Sequence, residues 1–115
     1  MSDLQDKIHG NEFAAVFCTA APVDADRIAR ALVEERLAAC VNIASIRSCY
    51  IWEGELSQDK EELLIIKTRK ALIEPLKKRI LDLHSYSLPE IIVLPIIDGY
   101  EPYLDWIAQS TSLQG

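Results

Sequence analysis

The stretch CVNIASIRSCYIWEGEL, Cys40–Leu56, followed by ELLIIKT, Glu62–Thr68, decides the fold of this chain. The first segment is rich in β-branched and aromatic residues. It reads as one long strand running into a turn at Glu53–Gly54, and the second segment reads as its return. The alternation slips along the way. Val41 and Ile43 share one phase, whereas Ile46, Tyr50 and Trp52 share the other, which predicts a β-bulge or bend near Ser45. A strand over Cys40–Trp52 reaches roughly 40 Å at ~3.3 Å per residue. FAAVFCTA, Phe13–Ala20, reads as a buried strand of about half that length before a turn at Pro22. The hairpin must therefore overhang the domain. A free ribbon carrying Tyr50, Ile51 and Trp52 cannot bury its aromatics alone, and its edges stay open to pairing. A second copy of the chain is the expected cover, with Tyr50 and Trp52 as interface anchors.

Working outward, DADRIARALVEERLAA (Asp24–Ala39) has helical spacing at Ala25, Ile28, Ala29, Leu32 and Val33, with Asp24 as the expected N-cap. RKALIEPLKKRILDLH (Arg69–His84) places Leu72, Leu76, Ile80 and Leu83 on one helical face. Its regular part begins near Pro75, because proline fits only the first turn. EIIVLPI (Glu90–Ile96) is a further strand, and YEPYLDWIAQ (Tyr100–Gln109) a short last helix. The order β-α-β-β-α-β plus a terminal helix predicts an α+β, ferredoxin-like split βαβ sandwich with an extended hairpin between its second and third strands. Right-handed crossovers place the first strand between the third and fourth. Residues 1–11 read as a flexible tail, 12–109 as a single domain and 110–115 as a C-terminal tail.

Composition narrows the function classes. The formal charge is −6 and no basic stripe is present, which argues against nucleic acid as a partner. No apolar run approaches the ~18 residues of a membrane span, and the N-terminus lacks an apolar targeting core, so a cytoplasmic location without membrane insertion is expected. The three cysteines, Cys18, Cys40 and Cys49, form no CxxC pair and suit a reducing compartment. No nucleophile stands beside an obvious base, and the four glycines form no phosphate loop. An enzyme is not expected.

The loop in LHSYSLPEIIVLPI (Leu83–Ile96) gathers His84, Tyr86 and Glu90, and the topology brings it beside Cys18. Imidazole and thiolate are donors for copper or zinc. The plainer alternative is a buried Cys18 and a His84 that caps the preceding helix. Glu90 enters an apolar strand and needs a partner. Lys67 lies toward the other end of the subunit, where a neighbouring copy brings the two together, either as a ligand pocket or as a salt bridge. Lys60–Glu62 and Glu34–Arg36 read as solvated charge.

VFCTAAP, LVEERLAACVNI, SCYIWEGEL, LLIIKT, the Leu83–Ile96 stretch and YLDWI together resemble CutA, the divalent-ion tolerance proteins, over about Phe13–Ala108. Ser85 stands where that family usually has proline. The resemblance implies a ferredoxin-like subunit in a tight homotrimer, with copper or another divalent ion as the bound group and no organic cofactor. It implies Cys18, Cys40 and His84 as the metal positions. The trimer is similar to PII signalling proteins, which suggests as an alternative a cleft between subunits formed by Lys67, Tyr86, Glu90 and Trp52 that binds a small anion or metabolite. A scaffold for a partner protein is the third reading.

Overall fold

The computed structural model describes residues 12–112. The flexibility expected of residues 1–11 and of the last three residues lies outside them. Four strands form one antiparallel sheet: β1 (Phe13–Ala20), β2 (Cys40–Trp52), β3 (Glu55–Arg69) and β4 (Ile91–Ile96), in the order β2-β3-β1-β4. Helix α1 (Pro22–Glu34) joins β1 to β2, α2 (Ile73–Leu83) follows β3 through a short 3-10 turn, and α3 (Glu101–Ser110) closes the chain. This is the expected split βαβ arrangement with β1 inside the sheet.

Helices α1 and α2 cover one face. Ile28 and Leu32 of α1 and Leu76 and Ile80 of α2 pack on Val16, Cys18, Leu64 and Ile66, all fully buried. The even-numbered residues of β1 point to these helices, and the odd-numbered ones form the second face. There α3 seals only one end, where Ile107 packs with Phe13, Ala39 and Ile96. Thr111 is buried behind it, and Arg69 donates to its hydroxyl at 2.8 Å and to its carbonyl at 3.1 Å. Helix α3 thus runs one residue into the span read as a tail, and Thr111 belongs to the packed domain.

The hairpin overhangs as expected. β1 ends where Ala20 meets Glu62, and beyond that rung β2 and β3 pair only with each other as far as Trp52 and Glu55. The Cα radius of gyration is 15.5 Å, against about 13 Å for a compact 100-residue domain. Glu53 and Gly54 both have positive φ, 51° and 81°, as a two-residue type I′ turn requires.

The bulge near Ser45 is absent. The β2–β3 register runs unbroken from Cys40 opposite Lys67 to Trp52 opposite Glu55. The phase slip has another cause. Val41 and Ile43 lie on the face the helices cover, whereas Ile46, Tyr50 and Trp52 lie on the second face. The apolar side changes because the strand leaves the domain, not because its register changes. Asp24 is likewise not the N-cap of α1. Ala21 holds that position, Pro22 opens the helix, and Asp24 lies buried in its first turn with a different task.

Candidate functional site

The loop between α2 and β4 is tied to three elements by three consecutive residues. His84 Nε2 meets the Thr19 carbonyl of β1 at 2.7 Å. Ser85 Oγ donates to Asp24 Oδ2 of α1. Tyr86 Oη donates to Glu61 Oε2 of β3 at 2.9 Å. Arg27 adds a brace, bridging Asp24 Oδ1 at 2.9 Å and the Leu83 carbonyl at 2.7 Å. The Ser85 hydrogen bond, and after it that of Arg27, holds the Asp24 carboxyl below its ordinary range.

Between this loop and the overhanging ribbon lies a cleft of about 790 Å³. Tyr50 and Trp52 from β2, Asp59 and Glu61 from β3, and Tyr86 and Glu90 from the loop line it. Each β3 carboxylate accepts a phenol, Tyr86 on Glu61 and Tyr50 on Asp59. Glu61 is only 7% exposed. Burial first, then the hydrogen bond and charge of Glu61, pushes the Tyr86 phenol well above its usual value. The hydrogen bond to Asp59 does the same for Tyr50.

The sequence reading therefore divides. Trp52, Tyr86 and Glu90 share one cleft, with Tyr50 beside them. Lys67 is not among its lining residues. It lies opposite Cys40 and Ala15 toward the other end of the second face, where its ammonium bonds to Asn42 Oδ1. Glu61, read as solvated charge, is buried in the cleft wall. The signal that finds it is strand parity: from Glu61 to Lys67 every second residue of β3 shares the face of Phe17 and Thr19.

The expected metal set is only partly assembled: Cys18 Sγ and His84 Nε2 both approach the Thr19 carbonyl, whereas Cys40 lies apart. Cys18 is fully buried on the helix-covered face, its Sγ lies 3.7 Å from the Thr19 carbonyl, and burial pushes the thiol up to about 12. Cys40 lies on the second face, opposite Lys67 rather than Leu64, so one chain does not bring the two thiols together. Both ring nitrogens of His84 are engaged. Nε2 faces a carbonyl and must carry the hydrogen, while Nδ1 accepts the Tyr86 backbone N–H at 3.1 Å. No lone pair is left for a metal. Among the described residues no cluster of three or more His, Cys, Asp or Glu is placed to hold an ion. Within one chain Cys18, Cys40 and His84 do not fit a metal ion.

A profile of the CutA1 divalent ion tolerance proteins matches residues 14–110. The chain belongs to the CutA1 family. It is 52% identical over 85 residues to the divalent-cation tolerance protein CutA of Thermus thermophilus, a match covering 73% of this chain and 82% of that one. It is 51% identical over 86 residues to a chloroplastic CutA of Arabidopsis thaliana, covering 74% of this chain but 47% of the plant protein. The matched region thus spans only about half of that plant relative. Among solved CutA1 structures, that of Oryza sativa superposes with a TM-score of 0.85 at 42% identity, covering 89% of this chain and 95% of the other. A PII-like CutA from Nostoc sp. in apo form gives a TM-score of 0.83 at 37% identity, covering 87% and 98%. The family is named for divalent-ion tolerance, not for a reaction, and the fold is that of CutA1 and PII-like proteins.

Proposed function

We propose that this CutA1 chain works as a homotrimer in divalent-cation tolerance and responds to a small ligand through the cleft walled by Tyr86, Glu61 and Trp52. The observation that carries the reading is the second face of the sheet. Ile92 and Leu94 there are 50% and 39% exposed, and the ribbon continues the face with Tyr50 and Trp52 at 40% and 43%. A stripe this apolar on so small a domain is the mark of a surface that another subunit covers. One patch that meets a different patch of the next copy closes into a ring when the rotation between copies allows it. Three copies suit the likeness to a PII-like CutA, and in this reading the neighbour completes the open side of the cleft.

Copper or another divalent ion then acts at the assembled trimer and not at Cys18, which is sealed in the core, or His84, whose two ring nitrogens are engaged. The three free thiols suit a reducing, cytoplasmic setting. Light scattering coupled to gel filtration tests the assembly. Three chain masses at micromolar concentration are expected, and Ile92→Glu is expected to dissociate them. A wild-type monomer would refute the reading.

A further inference from the structure

We propose that the cleft takes an organic cation: an ammonium or guanidinium group carried on an apolar body. The inference deepens the proposed function and rests on the cleft keeping an entrance to solvent once a neighbour completes its side. Its first support is the one-sidedness of the charge. Asp59, Glu61 and Glu90 line the cleft, and among the described residues no lysine, arginine or histidine does. The second is the state of Glu61. It is more than nine-tenths buried, yet its one partner among the described residues is the phenol of Tyr86, on Oε2. Oε1 has no hydrogen bond there, and no cation of the described residues forms an ion pair with the group. A buried carboxylate normally meets a cation or several donors, since leaving it short of partners is costly. No buried side-chain oxygen of the described residues lacks a partner, so Oε1 keeps contact with solvent in the cleft and is free to accept from a cation that enters it.

The rest of the lining selects among cations. Asp59 and Glu61 lie two residues apart on one face of β3, and each already accepts a phenol. No carboxylate cluster among the described residues is placed to hold a metal. Tyr50, Trp52 and Tyr86 are each roughly two-fifths exposed on the same walls, and aromatic faces attract a cation and cover an apolar stem. An ammonium group donating to Glu61, with its stem along these rings, satisfies both features at once. A small anion, the ligand expected from the PII likeness, meets three carboxylates and no cationic side chain of the described residues in this subunit.

Isothermal calorimetry of the full chain at neutral pH tests this with three probes of one shape: 2-phenylethylammonium, neutral 2-phenylethanol and phenylacetate. Saturable binding of the ammonium alone is expected, weakened about 10-fold or more in Glu61→Gln. Should that variant fail to fold, Trp52→Leu on the ribbon reads the aromatic wall and is expected to weaken the ammonium about threefold or more. No saturable ammonium binding, equal binding of the alcohol, or preference for phenylacetate overturns the inference. So does ammonium binding that appears only in Lys67→Met, because a neighbour's lysine would then already fill the cleft. Chain mass measured in the same buffer separates the two proposals. A trimer that ignores the ammonium overturns the ligand class and leaves the assembly standing. An ammonium-binding monomer does the reverse.

Discussion

Tyr86 Oη donates to Glu61 Oε2 across 2.9 Å, fastening the loop after α2 to the β3 residue that lies just past the end of β1. The bond joins the domain to its overhang. It also keeps a buried carboxylate from standing without a donor. Tyr86→Phe removes that donor and leaves the ring, so a stability loss of about 1–3 kcal/mol is expected in urea unfolding. The pH dependence follows from the raised phenol. Its contribution is whole below the unfolded tyrosine value of about 10 and is lost as pH rises through the higher folded value. Ultraviolet titration is expected to show a late tyrosinate step that Tyr86→Phe abolishes.

Asp24 is the hub on the other side of the loop. Its carboxylate takes Ser85 Oγ on one oxygen and Arg27 on the other. Ser85 thereby fixes the loop to α1 through a side-chain hydrogen bond. Because the carboxyl is held below its ordinary range, the contribution is present above about pH 3.9 and is lost as pH falls through the folded value. Asp24→Asn is expected to speed amide exchange at Ser85–Ser87 about 10-fold at neutral pH, with β3 unchanged. Unchanged exchange in that loop would remove Asp24 as its anchor.

Among the described residues, two other than glycine sit in the left-handed region. Arg36 has φ of 60° past the end of α1, where its N–H bonds to the Val33 carbonyl and that of Leu37 to Leu32. Glu53 has φ of 51° in the hairpin turn. Both carry a Cβ where glycine or asparagine sits at lower energy. Glu53→Asn is expected to raise stability by about 0.5–1 kcal/mol, and Gly54→Ala to lower it by at least as much. Thermal unfolding at fixed chain concentration reads both.

Thiol chemistry is expected to sort the cysteines by burial. Cys49 is exposed, Cys40 half-buried and Cys18 sealed, with its thiol pushed up to about 12. A disulfide reagent at pH 8 is expected to leave Cys18 unmodified in the native protein and to label it on unfolding. Native-state labelling of Cys18 would contradict the packing of β1 under α1 and α2.

Much of this was legible in the residues. The element order gave the sheet, and the excess length of Cys40–Trp52 gave the overhang, because strand length is simple arithmetic. The meeting of the His84 loop with β1 followed from topology. Other features were hidden for a physical reason. The phase change at Ser45 looked like a bulge because alternation reports which face is buried, and it cannot tell a register shift from a strand that leaves its domain. Glu61 looked solvated between Lys60 and Glu62, since burial there depends on Tyr86, 25 residues away. His84 was recognisable as a donor-bearing residue. That both nitrogens are already engaged depends on Thr19 and on the backbone of Tyr86, and no spacing rule contains that.

The most direct test is native mass spectrometry during a copper titration, comparing the wild type with a Cys18→Ser/His84→Ala double variant. Three chain masses are expected for both proteins, with the same copper uptake. Stoichiometric copper on the wild-type trimer that vanishes in the double variant would contradict the account and return the metal to Cys18 and His84. A mass other than three chains would contradict the covering of the sheet's second face.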